Sequence, residues 1–174
     1  VLRLPMVVYV DDLALIGRWL SETDSEMAGF QEWAARVCGV VFKAIKDKSS
    51  ATSQLYLGLW WNSLTLTRTL PEVKLLEYLA LLDAFAVATS LTLRDRQVVA
   101  GKMQRALLTL PRGAACLLGS IFVMMAGLTL AWHKRRTTVE ERENYRLLAF
   151  LLRLNKGHCF YRLGDFIEVV NGMA

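Results

Sequence analysis

The first seventy residues combine short apolar runs with one amphipathic stretch. Residues 6–10 and 13–16 are apolar and are separated by two acids, which predicts a β-hairpin with the acids at its tip. A second pattern, with apolar side chains at helical spacing, predicts one helix that starts at a capping box of Thr23 and Glu26, ends at Gly39 and covers a sheet face. Further strands are predicted at 40–43, 54–61 and 64–70.

Helical spacing dominates the rest of the chain. Helices are predicted after Pro71, after a capping pair of Thr92 and Asp95, and after a capping box of Thr138 and Glu141. Residues 113–132 contain no charged residue and predict a buried helix, although a membrane span of this length is the alternative. The predicted fold class is α+β: β-hairpins plus one covering helix, followed by an all-α bundle. The predicted domains are 1–70, 71–132 and 133–174.

Composition narrows the class of protein. The chain has 174 residues, of which 54% are hydrophobic, so it can bury a core and does not have a disordered composition. Lys and Arg outnumber Asp and Glu by 21 to 16, which is compatible with a polyanionic partner. Three widely spaced cysteines indicate reduced thiols in an intracellular protein. The chain begins with Val in the middle of a strand pattern and shows no signal peptide, so we expect a piece of a longer polypeptide.

Asp11 and Asp12 are the first candidates for chemistry. Two acids at the end of a buried hairpin are costly unless a cation meets them, and Mg²⁺ prefers carboxylate oxygens. Neighbouring residues of a strand point to opposite faces, so a tight turn would bring one carboxylate to the metal and leave the other in support. Most Asp-Asp pairs in turns are only turns, but the apolar flanks and Tyr9 favour a metal site here. Two-metal phosphoryl transfer also needs an acid from elsewhere in the sequence.

The segment Tyr9-Val10-Asp11-Asp12 is similar to the Tyr-X-Asp-Asp box of reverse transcriptases. That family follows its box with a helix, a Gly-led strand ending at Lys, a Leu-Gly hairpin that grips the primer, a Leu-Pro step into thumb helices, and a Gly-Lys element. This chain has similar segments in the same order at 39–46, 55–59, 70–74 and 99–103. The resemblance covers about residues 5–130, and the spacing is most like retrotransposon enzymes of the tyrosine-recombinase and algal types. Residues 138–163 resemble the connector before an RNase H domain.

The resemblance implies an RNA-directed DNA polymerase made of the C-terminal part of a palm, a thumb and a connector. Its reaction would be Mg²⁺-dependent nucleotidyl transfer with an RNA template, a DNA primer and dNTPs as partners. Asp11 would bind Mg²⁺ with Asp12 in support, while Tyr9 and Val10 would lie beneath the primer end and the incoming nucleotide. Lys46 would protonate the leaving group. Two neighbouring lysines are rivals for this last role: Lys43 and Lys48.

Two nucleic-acid contacts are also implied by the resemblance. The implied primer grip consists of Leu57, Gly58 and Trp60. The residues implied to follow the template–primer backbone are Gly101, Lys102 and Arg105. The alternative for the charges is an ordinary solvated helix face, and of Trp60 and Trp61 we expect one to belong to the core.

The sequence also departs from the family. The family places fingers and another metal-binding Asp upstream of the box, and neither is in this sequence; no RNase H acids follow. We therefore expect the 174 residues not to polymerise alone. The alternatives are a non-enzymatic nucleic-acid- or protein-binding remnant of a retroelement and a membrane-associated protein that uses 113–132. The main interpretation implies no membrane and a cytoplasmic or nuclear location.

Overall fold

The computed structural model describes residues 6–9, 12–17, 19–43, 48–155 and 157–159. The chain divides into two compact units, Val1–Leu57 and Gly58–Ala174. Both helices and antiparallel strands are present, so the α+β class is confirmed. The domains predicted from the sequence divide the chain at other positions, and they stay predictions.

The first unit contains a hairpin, one helix and a further strand. Its elements are β1 (Met6–Tyr9), β2 (Asp12–Leu15), α1 (Leu20–Trp33) and β3 (Ser53–Tyr56). β1 and β2 pair antiparallel with Tyr9 opposite Asp12, which confirms the predicted hairpin. The prediction that both acids lie at its tip is wrong for Asp12, which is the first residue of β2. A π-helical turn, Ala34–Cys38, extends α1, and Gly39 ends it at a φ of 68°, as predicted.

Two details of the predicted covering helix, and the strand predicted after it, are wrong. The helix begins three residues before Thr23, because the Thr23 hydroxyl donates to the Trp19 carbonyl one turn earlier (2.9 Å) instead of capping. No residue of α1 is buried, so its apolar stripe does not cover a sheet face within the described residues. Residues 40–43 are not a strand, and Val41 is 82% exposed.

The second unit combines helices with short strands. Its elements are β4 (Leu59–Asn62), β5 (Thr67–Thr69), α2 (Glu72–Val87), β6 (Ser90–Thr92), α3 (Leu93–Ala106), α4 (Gly119–Met125), β7 (Lys134–Arg136), α5 (Val139–Leu154) and β8 (His158–Cys159). Strands β4, β5 and β8 lie side by side in that order, and β6 pairs antiparallel with β7. The all-α arrangement predicted after residue 70 is therefore wrong, because two strands form a ribbon among the helices.

One apolar core holds the second unit together. It is built mainly from α2, α3 and α5, and α2 packs along α5. Its fully buried members include Leu82, Val99, Met103, Leu148 and Leu152. Each such side chain contributes about 1.5–3 kcal/mol relative to exposure. The apolar stripes predicted for these three helices therefore do reach a common core.

The uncharged segment 113–132 is not one helix. It begins as a 3₁₀ turn, Arg112–Leu118, continues as α4, and turns at Gly127, whose φ is 76°. Only one side is buried, through Ala114, Leu118 and Ile121. The prediction of a single buried helix is wrong, since the run changes from a 3₁₀ turn to α4 and α4 ends before the turn at Gly127. Within the described residues, no helix is long and apolar enough to cross a membrane.

The two helix caps predicted in the second unit are present. At α3, the Asp95 N–H donates to Thr92 Oγ1 (3.0 Å) and the Thr92 N–H donates to Asp95 Oδ2 (2.9 Å), a complete capping box. At α5, the Glu141 N–H donates to Thr138 Oγ1 (3.0 Å). The Glu141 carboxylate turns inward instead, where it meets Arg96.

Arg96 and Glu141 form a fully buried ion pair between α3 and α5. Two hydrogen bonds join them, from Nε to Oε1 (2.8 Å) and from Nη2 to Oε2 (3.0 Å). Arg96 also donates to the carbonyls of Leu91 (2.7 Å) and Arg135 (3.3 Å), and the Tyr145 hydroxyl donates to Glu141 (2.8 Å). One guanidinium therefore fixes β6 and β7 against the helices.

Candidate nucleic-acid interface

The predicted catalytic residues lie largely outside the described residues. Val10, Asp11 and Lys46 are not among them. Tyr9 and Asp12 are described through their backbone and flank positions 10 and 11 in the β1–β2 pairing. The metal-site prediction for Asp11 and Asp12 therefore stays a prediction. Across the described residues, no group of three or more His, Cys, Asp or Glu side chains could hold a metal ion.

A cationic cluster lies in the second unit, formed by Gly58, Lys74 and Arg105. Gly58 precedes β4 and has a φ of 74°, in the left-handed region that favours glycine. A Cβ atom built on Gly58 would lie 2.6 Å from Arg105 Nη1 and 2.7 Å from Lys74 Nζ. Contacts this short do not occur, so glycine leaves room for both cationic groups against the backbone. The structure thus brings together two residues that the resemblance assigned to nucleic acid, Gly58 and Arg105.

Local sequence explains how each member of the cluster is placed. Leu59 is buried in the core directly after Gly58 and anchors it. Lys74 lies in the first turn of α2, which Pro71 begins. Arg105 lies in the last turn of α3, where a cation is favourable to the helix dipole. Its neighbours Met103 and Ala106 are buried, so Arg105 itself stays exposed.

The electrostatics of the cluster favour an anion. Lys74 Nζ and Arg105 Nη1 face the same point, where their like charges repel. In the part of the chain that the structure describes, no carboxylate lies within ion-pair distance of Lys74. An anion at this point would relieve the repulsion and meet both cations.

Lys102 has a different environment from the other predicted contact residues. It forms an ion pair with Glu77 of α2, and its Nζ lies 5.6 Å from the centre of the Tyr78 ring. Both contacts hold Lys102 against α2. A phosphate could therefore reach Lys102 only in competition with Glu77, whereas Lys74 has no such competitor among the described side chains.

The outer face of α3 is open at Gly101, one turn before Arg105. A Cβ atom on Gly101 would meet nothing within 4 Å, so no contact inside the described chain requires glycine there. Glycine inside a helix is about 0.5–1 kcal/mol less stable than alanine. Packing within the described residues therefore does not explain the glycine at this position.

The two tryptophans of β4 have different environments. Trp60 is 42% exposed and lies opposite Thr69 of β5, so it can stack on a base. Trp61 packs against the core, and the Arg68 guanidinium carbon lies 5.9 Å from its ring centre. Burial lowers the pKa of Arg68. The expectation that one of the two tryptophans belongs to the core is confirmed, and it is Trp61.

Two further features bear on the predicted grip. Leu57 has a φ of 50°, which is unusual for a residue other than glycine and costs about 1–2 kcal/mol. Lys74 was not predicted as a contact residue. Its position in the first turn of α2 is a weak signal, because a cation there opposes the helix dipole, although Glu72 in the same turn offsets this.

Comparison of the sequence with protein-family models finds no match, and comparison with curated proteins finds none either. Function therefore has to follow from the residues themselves. The cationic cluster and the open face of α3 are the features of the second unit with the clearest chemistry, since together they present cations and an accessible helix backbone to solvent.

Proposed function

We propose that this chain is part of an RNA-directed DNA polymerase of the reverse transcriptase type, and that its second unit binds the template–primer duplex. The convergence of Gly58 and Arg105 carries this proposal. The resemblance assigns Gly58 to the primer grip and Arg105 to the template–primer backbone. These residues come from segments far apart in the sequence, and they lie side by side. This proximity is what a shared contact with the template–primer duplex would require.

The cluster has the chemistry of a phosphate-backbone site. The guanidinium of Arg105 offers a planar pair of donors to phosphate oxygens, and the ammonium of Lys74 adds a compact charge. Glycines at 58 and 101 let the nucleic-acid backbone approach closely. Binding of this kind depends on salt and not on base sequence, as templated synthesis requires.

The catalytic part of the proposal concerns the β1–β2 hairpin. Asp11 and Asp12 supply the carboxylate oxygens that Mg²⁺ prefers, and Mg²⁺ would stabilise charge on the reacting phosphates. In nucleotidyl transfer the primer 3′-hydroxyl attacks the α-phosphorus and pyrophosphate leaves. Tyr9 and Val10 would support the primer end, and Lys46 would give a proton to the leaving group. The antiparallel pairing on both sides of positions 10 and 11 supports this placement of the box.

Duplex binding tests the proposed role of the second unit. A labelled RNA–DNA duplex is titrated with the full chain and with Lys74→Gln and Arg105→Gln. Each substitution is expected to weaken binding about fivefold to tenfold near 0.1 M salt and to reduce the salt slope by about 0.9. The control is Arg153→Gln, which removes an exposed charge paired with Asp83 in the same unit. If Lys74→Gln and Arg105→Gln bind the duplex as tightly as the control Arg153→Gln does, the cluster is not the duplex site.

Primer extension tests the chemistry. We expect the 174-residue chain with Mg²⁺ and a primed RNA template to synthesise no DNA, and robust synthesis would refute that expectation. In a longer polypeptide that contains this chain, Asp11→Ala should abolish synthesis. An active Asp11→Ala enzyme would rule out Asp11 as the metal ligand. Salt-dependent binding without synthesis in the longer polypeptide would instead favour the non-enzymatic, nucleic-acid-binding alternative.

A further inference from the structure

The ribbon of β6 and β7 carries a second cationic surface, separate from the cationic cluster. Lys134 and Arg136 of β7 are exposed, and Arg135 between them is half-buried. Since side chains alternate along a strand, the two exposed cations project from one face. Their cross-strand neighbours on that face are Thr92 and Ser90, so the face is polar between the charges.

An exposed tryptophan stands at the start of this ribbon. Trp132 is 70% exposed, and the His133 ring meets its ring edge-on at 6.4 Å between centres. The backbone on both sides of Trp132 is held by α3: the Arg94 N–H donates to the Ala131 carbonyl (3.0 Å), and the Leu93 N–H donates to the His133 carbonyl (2.9 Å). The indole is therefore presented to solvent on a fixed turn.

The ribbon is also fixed from its inner side. Arg135 donates to the Met124 carbonyl (3.2 Å), and the buried Arg96 donates to the carbonyls of Arg135 and Leu91. At the end of β7, the Thr137 N–H donates to the Thr89 carbonyl (3.0 Å). The exposed side chains thus stand on a rigid base, which lowers the entropy lost when a ligand is bound.

The described part of the chain does not neutralise the charges of the ribbon. Within the described residues, no carboxylate lies within ion-pair distance of Arg94, Lys134 or Arg136. The Arg94 N–H bond to Ala131 places Arg94 beside the turn that carries Trp132. We call these four residues the ribbon surface: Arg94, Trp132, Lys134 and Arg136. Three cations without an ion pair among the described residues, and one exposed indole on the adjoining turn, are the components of a stacking site for nucleic acid.

We propose that the ribbon surface binds single-stranded nucleic acid, with phosphates on the three cations and one base stacked on Trp132. The choice of nucleic acid rests on the proposed function. A single strand fits better than a duplex because only an unpaired base can leave its neighbours and stack on a side chain. A membrane surface fits less well, since such sites use an apolar helix face and the ribbon is polar between its charges.

The test compares three ligands for the full-length chain: a single-stranded oligouridine, an RNA–DNA duplex and phosphatidylserine vesicles. The variants are Trp132→Ala, Trp132→Phe and the double variant Lys134→Gln with Arg136→Gln. The matched control removes two exposed charges elsewhere, Arg36→Gln with Arg153→Gln. Because every altered side chain is exposed, we expect each Tm to stay within about 2 °C of the unmodified chain.

We expect Trp132→Ala to weaken oligouridine binding about tenfold and Trp132→Phe to restore most of it, because phenylalanine also stacks. The double variant should reduce the salt slope for oligouridine by about 1.4, and the control double variant should leave it unchanged. Duplex binding should change less than about twofold in all ribbon variants.

Other results overturn the inference. If the ribbon variants and the control double variant weaken oligouridine equally, the ribbon is an ordinary solvated surface. If the ribbon variants lose vesicle binding and keep oligouridine binding, the surface serves anionic lipid. In both cases, duplex binding that still depends on Lys74 and Arg105 would leave the proposed function intact. A chain that binds neither oligouridine nor duplex would refute both.

Discussion

Among single residues, Tyr145 gives the most direct link between burial and pH. Burial raises the pKa of its hydroxyl above the ordinary value of 10.0, and the Glu141 carboxylate that accepts its hydrogen bond at 2.8 Å raises it further. The folded chain therefore keeps a proton that the unfolded chain releases. The stability due to this group is complete below pH 10 and is lost as the pH rises above that value.

Tyr145→Phe tests this coupling. Near pH 7 the substitution should lower the free energy of unfolding by about 1–2 kcal/mol, because it removes a buried hydrogen bond to a charged acceptor. Above pH 10 the difference between the two proteins should shrink, since the unmodified chain alone loses this contribution. Urea unfolding at both pH values measures the two differences. If the two proteins differ by the same free energy of unfolding at both pH values, the pKa of Tyr145 is not raised by folding.

Gly58 can be compared with a matched glycine in the other unit, Gly39. Their φ values are 74° and 68°, so alanine should cost each about 1–2 kcal/mol in the free energy of unfolding. A Cβ atom on Gly39 would meet nothing within 4 Å, whereas one on Gly58 would displace Lys74 and Arg105. We expect similar losses of stability and a fivefold or greater loss of duplex affinity for Gly58→Ala alone. If Gly58→Ala and Gly39→Ala bind the duplex with equal affinity, Gly58 is not part of the binding site.

At the scale of elements, the buried pair of Arg96 and Glu141 joins the ribbon to two helices. Glu141→Gln leaves the buried guanidinium without its counter-charge and should lower the free energy of unfolding by about 3–5 kcal/mol. Arg96→Met combined with Glu141→Met should cost less than the two single substitutions added together, because no isolated charge remains. Denaturant unfolding of the unmodified chain, Arg96→Met, Glu141→Met and the double variant gives the coupling energy. If the effects of the two single substitutions simply add up in the double variant, the coupling is absent.

The elements that the sequence predicts well are those fixed by local contacts. The caps at Thr92 and Thr138 follow from residues three positions apart, and the helix end at Gly39 follows from one residue. The ribbon was not predicted, because its strands have three residues each and β7 reads as a solvated basic cluster. Its position depends on Arg96, a contact across 39 residues of sequence that no local pattern reveals.

In the candidate site, too, some features could be predicted from the sequence and others depend on packing between distant segments. The roles of Gly58, Gly101 and Arg105 were predicted from the resemblance, but their mutual position depends on the packing of α2 against α3 and on Leu59, which belongs to the same core. Lys102 shows what residue type alone does not reveal, since its charge is paired with Glu77. The run at 113–132 shows that an uncharged composition does not fix helix length, because the chain turns at Gly127.

At the scale of the whole molecule, the two units differ in how much they bury. The second unit has an apolar core to which four helices, α2 to α5, and the strands β4 and β6 contribute. Among the side chains described in the first unit, only Ala34 is buried, and several large apolar ones are exposed: Trp19, Trp33, Val37 and Val41. Protection of backbone amides depends on such burial, because a helix that covers no core opens at little cost in free energy.

Hydrogen exchange of the full chain should therefore separate the two units. We expect amides of α1 to exchange through local opening, with protection several kcal/mol below that of α2, α3 and α5, which should exchange only on global unfolding. Added RNA–DNA duplex should slow exchange further where the cationic cluster lies, in the first turn of α2 and the last turn of α3. Equal protection of α1 and α2 would show that α1 is stabilised by contacts beyond those of the described residues. Mass spectrometry of peptic peptides resolves these helices, and Arg105→Gln should remove the duplex effect while leaving the difference between the units unchanged.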